Sequence, residues 1–164
     1  MRYSGTRIDW PLDINQIRKN SLSHTFGMVR RNADGSPRPH QGWDFYAEEG
    51  TPCYSVADGK VEYAGTRGAL GNLVVISIAD TGTYAAYAHL RDIAVKVGDR
   101  IQLGTLIGHT GNTGNASSMK GKDQHLHFEV RLQVITGLGL EGRISPLKIF
   151  GKCPINTAEL RKYE

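Results

Sequence analysis

Two short stretches of this 164-residue chain carry side chains that bind transition metals: His40-Gln41-Gly42-Trp43-Asp44 and His125-Leu126-His127. In a strand, His125 and His127 point to one face while Leu126 and Phe128 point to the other. Leu126 and Phe128 suit a core, which leaves the histidines facing outward or into a cleft. His40 and Asp44 stand at i and i+4, but Pro39 before them and Gly42 between them disfavour a helix. On a straight strand their Cα atoms would lie ~13 Å apart, too far to share an ion whose ligands sit at about 2 Å. A shared metal therefore demands a bend, and glycine at position 42 is the residue type that permits one.

His40, Asp44 and His127 together supply two neutral imidazoles and one carboxylate, a ligand set of catalytic zinc that leaves a fourth position for water. Strand geometry by itself treats His125 and His127 alike. Zinc would bring the pKa of that water to about 7, and peptide hydrolysis then also needs a proton acceptor and a stabiliser for the oxyanion. His125 and His89 are placed by sequence to supply them. His24, in Ser-His-Thr-Phe, reads as facing solvent or a hydrogen-bond partner. His109, in Gly-His-Thr-Gly, reads as a turn residue.

The elements that must position these side chains are short strands. Residues 1–21 read as an irregular lead-in, with a helical turn between Asp13 and Lys19. Strands are expected over 23–29, 40–46, 53–56, 60–64, 72–78, 83–89, 101–103, 106–109 and 125–134. Asp80-Thr81-Gly82 carries hairpin chemistry. Residues 31–39 and 111–123 are dense in turn formers and read as loops. Short strands, frequent turns and almost no helical period predict an all-β antiparallel domain over 22–150, followed by a tail over 151–164. Twenty glycines against 6 prolines agree with tight turns between strands.

No apolar run is long enough to span a bilayer, and the N-terminal residues lack the apolar core of a signal peptide. Export therefore either bypasses a standard signal or follows removal of one. The net charge of +4, with a pI near 9.1, suits an anionic partner. The basic residues are dispersed, apart from Arg30-Arg31 and Arg161-Lys162, and form no stripe that would track nucleic acid. Cys53 and Cys153 would be either a disulfide or two unrelated thiols, and the second reading is preferred. Neither lies in a CxxC pattern, so no cysteine metal site is expected.

The motifs together resemble the LytM/lysostaphin-type zinc peptidases, peptidase family M23. The family's H-x-G-x-D is similar to His40 through Asp44, its G-T-P…A-x-x-G to Gly50 through Gly59, and its G-N-x-V-x-I to Gly71 through Ile76. Its Y-A-H-L is similar to Tyr87 through Leu90, its V-x-x-G-D…G-x-x-I-G to Val95 through Gly108, and its G-N-T-G…H-L-H-F-E to Gly111–Gly114 and His125–Glu129. The likeness runs from about Phe26 to Pro146. It implies a small antiparallel β-sheet fold of the LytM/lysostaphin (duplicated hybrid motif) type with few short helices. It also implies one zinc ion held by His40, Asp44 and His127, with His89 and His125 as base and transition-state stabiliser.

The substrate implied is the peptide cross-link of bacterial peptidoglycan, reached in the periplasm or the extracellular wall by a monomer without a nucleic-acid partner. Two features depart from the family pattern. The loop 115–124 is long and should form one wall of the groove. No tyrosine lies between Phe26 and His40 to serve as an oxyanion donor, so that role falls to His89 or another group. A domain standing nearly alone also suits a delivered antibacterial effector with an inhibitor or immunity protein as its partner. The alternative is a non-catalytic relative that binds or activates another wall hydrolase, against which the complete ligand set argues.

Overall fold

The computed structural model describes residues 1–163. A separate hairpin pairs β1 (Gly27–Arg31) with β2 (Pro37–His40). Nine strands form the main sheet. In chain order they are β3 (Trp43–Tyr46), β4 (Pro52–Tyr54), β5 (Gly59–Thr66), β6 (Asn72–Ile78), β7 (Thr83–Ile93), β8 (Arg100–Ile101), β9 (Leu106–Thr110), β10 (His125–Arg131) and β11 (Arg143–Ile144). A single turn of helix, α1 (Leu147–Phe150), follows. The sheet runs β8-β5-β6-β7-β9-β4, and β10 joins it through β7 while also pairing with β3 and β11. The ladders are antiparallel. Among the described residues, no helix is long and apolar enough to cross a membrane.

The sequence of β6 explains its central place. Val74, Ile76 and Ile78 enter the main core, while Leu73 and Val75 meet Ala86 and Ala88 of β7 in a second cluster on the opposite face. A strand covered on both faces needs a continuous apolar run, and β-branched residues fit that pleated surface. Beneath β3 and β10 the core is aromatic. Phe45 and Phe128 meet edge to face with ring centres 6.0 Å apart, and Phe150 of α1 stacks on Trp10 at 4.4 Å.

The two ends of the chain close this core. Ile8, Trp10, Leu12 and Ile17, from the segment read as a lead-in, are fully buried in it. Asn15 and Ile14 pair with Glu159 and Leu160. The backbone amides of Lys162 and Tyr163 donate to Asp9. The helical turn expected between Asp13 and Lys19 does not form over that span: Ile14 and Asn15 are a strand, and a 3-10 turn begins only at Arg18–Asn20.

Several local expectations are corrected. Residues 22–24 form a 3-10 turn rather than the start of a strand. The turn-forming stretch before His40 does not stay a loop through Pro39, because residues 37–40 pair with β1. His109 lies within β9, where its Nδ1 sits 2.8 Å from Asp92. The preferred reading of the cysteines as unlinked thiols stands, since Cys53 and Cys153 are both free. Burial pushes the Cys53 thiol pKa up.

The bend between His40 and Asp44 is real, and it separates two strands in two different sheets. Gly42 stands where a Cβ would lie 2.1 Å from the carbonyl oxygen of Phe128. No side chain fits there unless β3 and β10 move apart. Gly42→Ala should therefore destabilise the fold by about 1–3 kcal/mol, the usual cost of overpacking. Urea unfolding of the purified variant measures it, and an unchanged midpoint would show that the strands yield freely.

Candidate active site

Each donor of the expected metal set comes from a different strand. His40 ends β2, Asp44 lies in β3, and His127 lies in β10 directly opposite Asp44. All three are buried. Asp44 Oδ1 is 3.1 Å from His40 Nε2 and 2.8 Å from His127 Nδ1. One ligand atom from each residue falls within a 4.8 Å group, a spacing that a single ion can bridge.

The outer nitrogen of each imidazole is already committed, which leaves the inner one for the ion. His40 Nδ1–H donates to the Thr25 carbonyl at 2.7 Å, leaving Nε2 as a donor to metal. His127 Nε2–H donates to Glu129 at 2.8 Å, leaving Nδ1. A hydrogen bond from the far nitrogen fixes tautomer and ring orientation in metal sites generally. Glu129 is itself held by the Nε–H groups of Arg131 (2.8 Å) and Arg143 (2.6 Å). Two neutral imidazoles and one carboxylate fit zinc, and the arrangement leaves a fourth position on the cleft side.

His89 and His125 stand beside this group. Their Nδ1–H groups donate to the carbonyls of Thr113 (2.8 Å) and Asp123 (2.9 Å), so each offers an Nε2 lone pair. The two rings lie 5.3 Å apart, and His89 lies 5.9 Å from His127. His125 reaches the cleft by plain alternation, since Leu126 and Phe128 take the core face.

His89 does not follow alternation. Ala85 and Tyr87 of β7 face the main core while Ala86 and Ala88 face the other way, so alternation would send His89 inward. Instead the register of β7 against β6 shifts between Tyr87 and Leu90, and His89 adopts φ +60°. At this point β7 passes from pairing with β10 to pairing with β9. A bulge that re-aims a side chain next to a site is a recurrent device.

Burial and hydrogen bonding compete to set the protonation of these groups. Burial lowers the pKa of His40 and of His125. Burial, with His127 and His125 nearby, brings His89 down to about 4. Burial also works against charge on His127, but hydrogen bonds to Asp44 and Glu129 prevail and raise it to about 9. Burial alone would raise Asp44, yet hydrogen bonds with His127, His24 and His40 hold its carboxyl well below the usual range. A cation at this point would take the place of the proton that His127 Nδ1 shares with Asp44.

Three further residues reach Asp44 that the motifs did not single out for the site. Arg30 Nη2 donates to Asp44 Oδ2 at 3.0 Å, His24 Nδ1 sits 3.2 Å from the same oxygen, and Arg18 Nη1 lies 3.7 Å away. Arg30-Arg31 was visible as a basic pair and His24 as a residue awaiting a hydrogen-bond partner. Only the fold-back of the β1–β2 hairpin reveals where they point. A cleft of about 650 Å³ opens over the centre, with Asn115 and Met119 of the long loop on one wall. Gln41 ties the other rim by accepting from the Gly139 amide at 2.7 Å.

A family model described as peptidase family M23 matches residues 38–137. The chain is 39% identical over 92 residues to the peptidoglycan DD-endopeptidase ShyA of Vibrio cholerae, covering 56% of this chain and 20% of that one. It is similar to the crystal structure of a zinc-containing peptidase from Vibrio cholerae, with TM-score 0.63 and 34% identity over 76% of this chain and 37% of that one. It is also similar to the catalytic domain of the antimicrobial peptidase lysostaphin from Staphylococcus simulans, with TM-score 0.61 and 28% identity over 75% of this chain and 86% of that one. The chain spans between 17 and 30% of the length of curated relatives it matches.

Glu129→Gln keeps an acceptor beside His127 but removes the charge. If the three donors hold zinc, the change should weaken that affinity about 10- to 100-fold, the usual effect of losing such an outer partner. Competition with a chromophoric chelator measures this, and wild-type affinity in a folded variant would mean that Glu129 does not set the His127 tautomer.

Proposed function

The chain belongs to peptidase family M23, and from that premise we propose that it is a zinc-dependent endopeptidase that hydrolyses peptide cross-links of bacterial peptidoglycan. The observation that carries the reading is convergence. His40, Asp44 and His127 gather their donor atoms at one point, and His89 and His125 turn free Nε2 atoms to the same cleft. The likeness to the peptidoglycan DD-endopeptidase ShyA adds support.

Zinc held by His40, Asp44 and His127 would supply Lewis acidity, activating a water and polarising the scissile carbonyl. The chain's own residues do the rest. His125, whose Nε2 lies 3.7 Å from Asp44 Oδ1, is neutral and accepts a proton at Nε2. Once protonated, an imidazole donates where it previously accepted, so it can pass the proton to the leaving amine. His89, whose ring lies 5.3 Å from that of His125, is the second such group: neutral with a free Nε2 at rest, it stabilises developing negative charge once it has accepted a proton released at the centre. Carbonyls on the far side of both rings keep Nε2 aimed at the substrate. The place of action follows the substrate, outside the cytoplasmic membrane, whether the chain is exported or delivered as an effector.

His127→Ala should abolish stoichiometric zinc binding together with activity. His89→Ala and His125→Ala should retain zinc and lose about 10²- to 10⁴-fold in kcat, the range for general acid–base groups. Digestion of purified sacculi, with mass analysis of the released fragments, tests activity and identifies the bond cut. Undiminished digestion by chelator-treated protein would overturn the reading.

A further inference from the structure

The cleft carries more positive charge than its metal centre uses. Arg18, Arg30 and Arg38 all line it, and among the described residues Asp44 is the one acidic residue in its lining. A shallower basin of about 440 Å³ continues from it, sharing these three arginines and Met119 and adding Arg31, and among the described residues no carboxylate lines that basin. The guanidinium groups come from separate pieces of backbone: the 3-10 turn at Arg18–Asn20, β1 and β2.

Their partners within the chain do not exhaust them. Arg30 uses Nε on the Ser23 carbonyl and Nη2 on Asp44. Arg18 uses Nη2 on Asp123 at 3.3 Å. Its Nε–H is buried without a partner among the described residues, although Arg18 is only 8% exposed. Arg38 is exposed on the rim. A buried N–H of a charged group left without an acceptor is costly, and crowded guanidinium groups repel one another. The repulsion among Arg18, Arg30 and Arg38 along the cleft is relieved by an anionic group of the ligand. A carboxylate matches the planar fork of a guanidinium with two parallel hydrogen bonds. Arg30 touches Asp44, so such a carboxylate would sit next to the reacting centre.

We infer that this basin is a carboxylate subsite and that the cleft selects peptides bearing a free carboxylate one or two residues from the scissile bond. The inference rests on the peptidase reading of the same cleft. It divides candidate substrates by chemistry: stem peptides whose acidic residues remain free acids are favoured over amidated stems and over uncharged bridges.

The test uses the zinc-loaded protein and two cross-linked peptides that differ only in a free acid against an amide beside the cleaved bond. The free acid should have a kcat/KM at least about tenfold higher, as expected for one hydrogen-bonded charge pair. Arg38→Gln should lower that ratio mainly through KM for the acid, and Arg38→Lys should restore part of it. Calorimetry with the corresponding uncross-linked stem peptides, which lack the scissile bond, makes the same comparison without turnover. Equal kcat/KM for acid and amide would overturn the subsite while leaving the peptidase reading intact. A binding preference for the acid without cleavage of either cross-linked peptide would overturn the peptidase reading and leave the subsite. An acid preference that survives Arg38→Gln and Arg18→Gln unchanged would also overturn the assignment to these arginines.

Discussion

One buried carboxylate holds this structure's parts in register. Asp44 is 2% exposed, and an unpaired charge at such depth would be prohibitively costly. Its two oxygens face two different sets of partners. Oδ1 meets His40 and His127, while Oδ2 meets Arg30 and His24. The first set comes from β2 and β10 and the second from β1 and the turn before it. The β1–β2 hairpin, which is not part of the main sheet, is thereby tied to the β3–β10 ladder through charge as well as backbone. Removing either set leaves a charge with half its neutralisation, which is why such clusters behave as units.

Two backbone irregularities make the convergence possible. At Gly42 the chain leaves one sheet and enters another, and the absence of a side chain lets β3 lie against Phe128. At His89 the strand bulges, with a non-glycine residue in the left-handed region. Regular strands would place His40 and Asp44 far apart and would bury His89 beside Tyr87. The site thus depends on departures from regular β structure, held in place by the surrounding core. Strain of this kind persists only where packing over-determines it.

The legibility of the sequence follows the same division. Period-2 alternation was enough to give the opposed faces of β10, and the demand for a bend at Gly42 followed from distance alone. The run of β-branched residues in β6 and the turn chemistry at Asp80-Thr81-Gly82 gave that hairpin its position. Contacts between elements distant in sequence left no such trace. Trp10 and Ile17 sit in a stretch with no clear period, yet they pack under Phe45 and Phe150 because they seal the end of the aromatic core. Arg18 lies more than a hundred residues from His125 and Asp123, its neighbours in space. The turn of backbone at His89 was hidden because its sequence continues a strand pattern without a break.

The electrostatic pattern around His127 shows how the centre divides its work. Glu129 on one side and Asp44 on the other compete for the same ring. Each carboxylate is itself held by arginines, Glu129 by Arg131 and Arg143 and Asp44 by Arg30 with Arg18 nearby. Two carboxylates therefore face four guanidinium groups. The inner pair, Arg131 and Arg143, is buried at no more than 7% exposure and serves to fix Glu129. Arg30 and Arg18 instead line the cleft. Positive charge around a metal centre weakens its hold on a cation, so a site tuned for affinity alone would not place arginines there. Under the proposed peptidase reading their value lies on the substrate side, where negative charge would develop as a carbonyl is attacked and an anionic ligand group would be paired. The same guanidinium groups that hold Asp44 thus also line the cleft above it, which ties the charge of the centre to the charge of its opening.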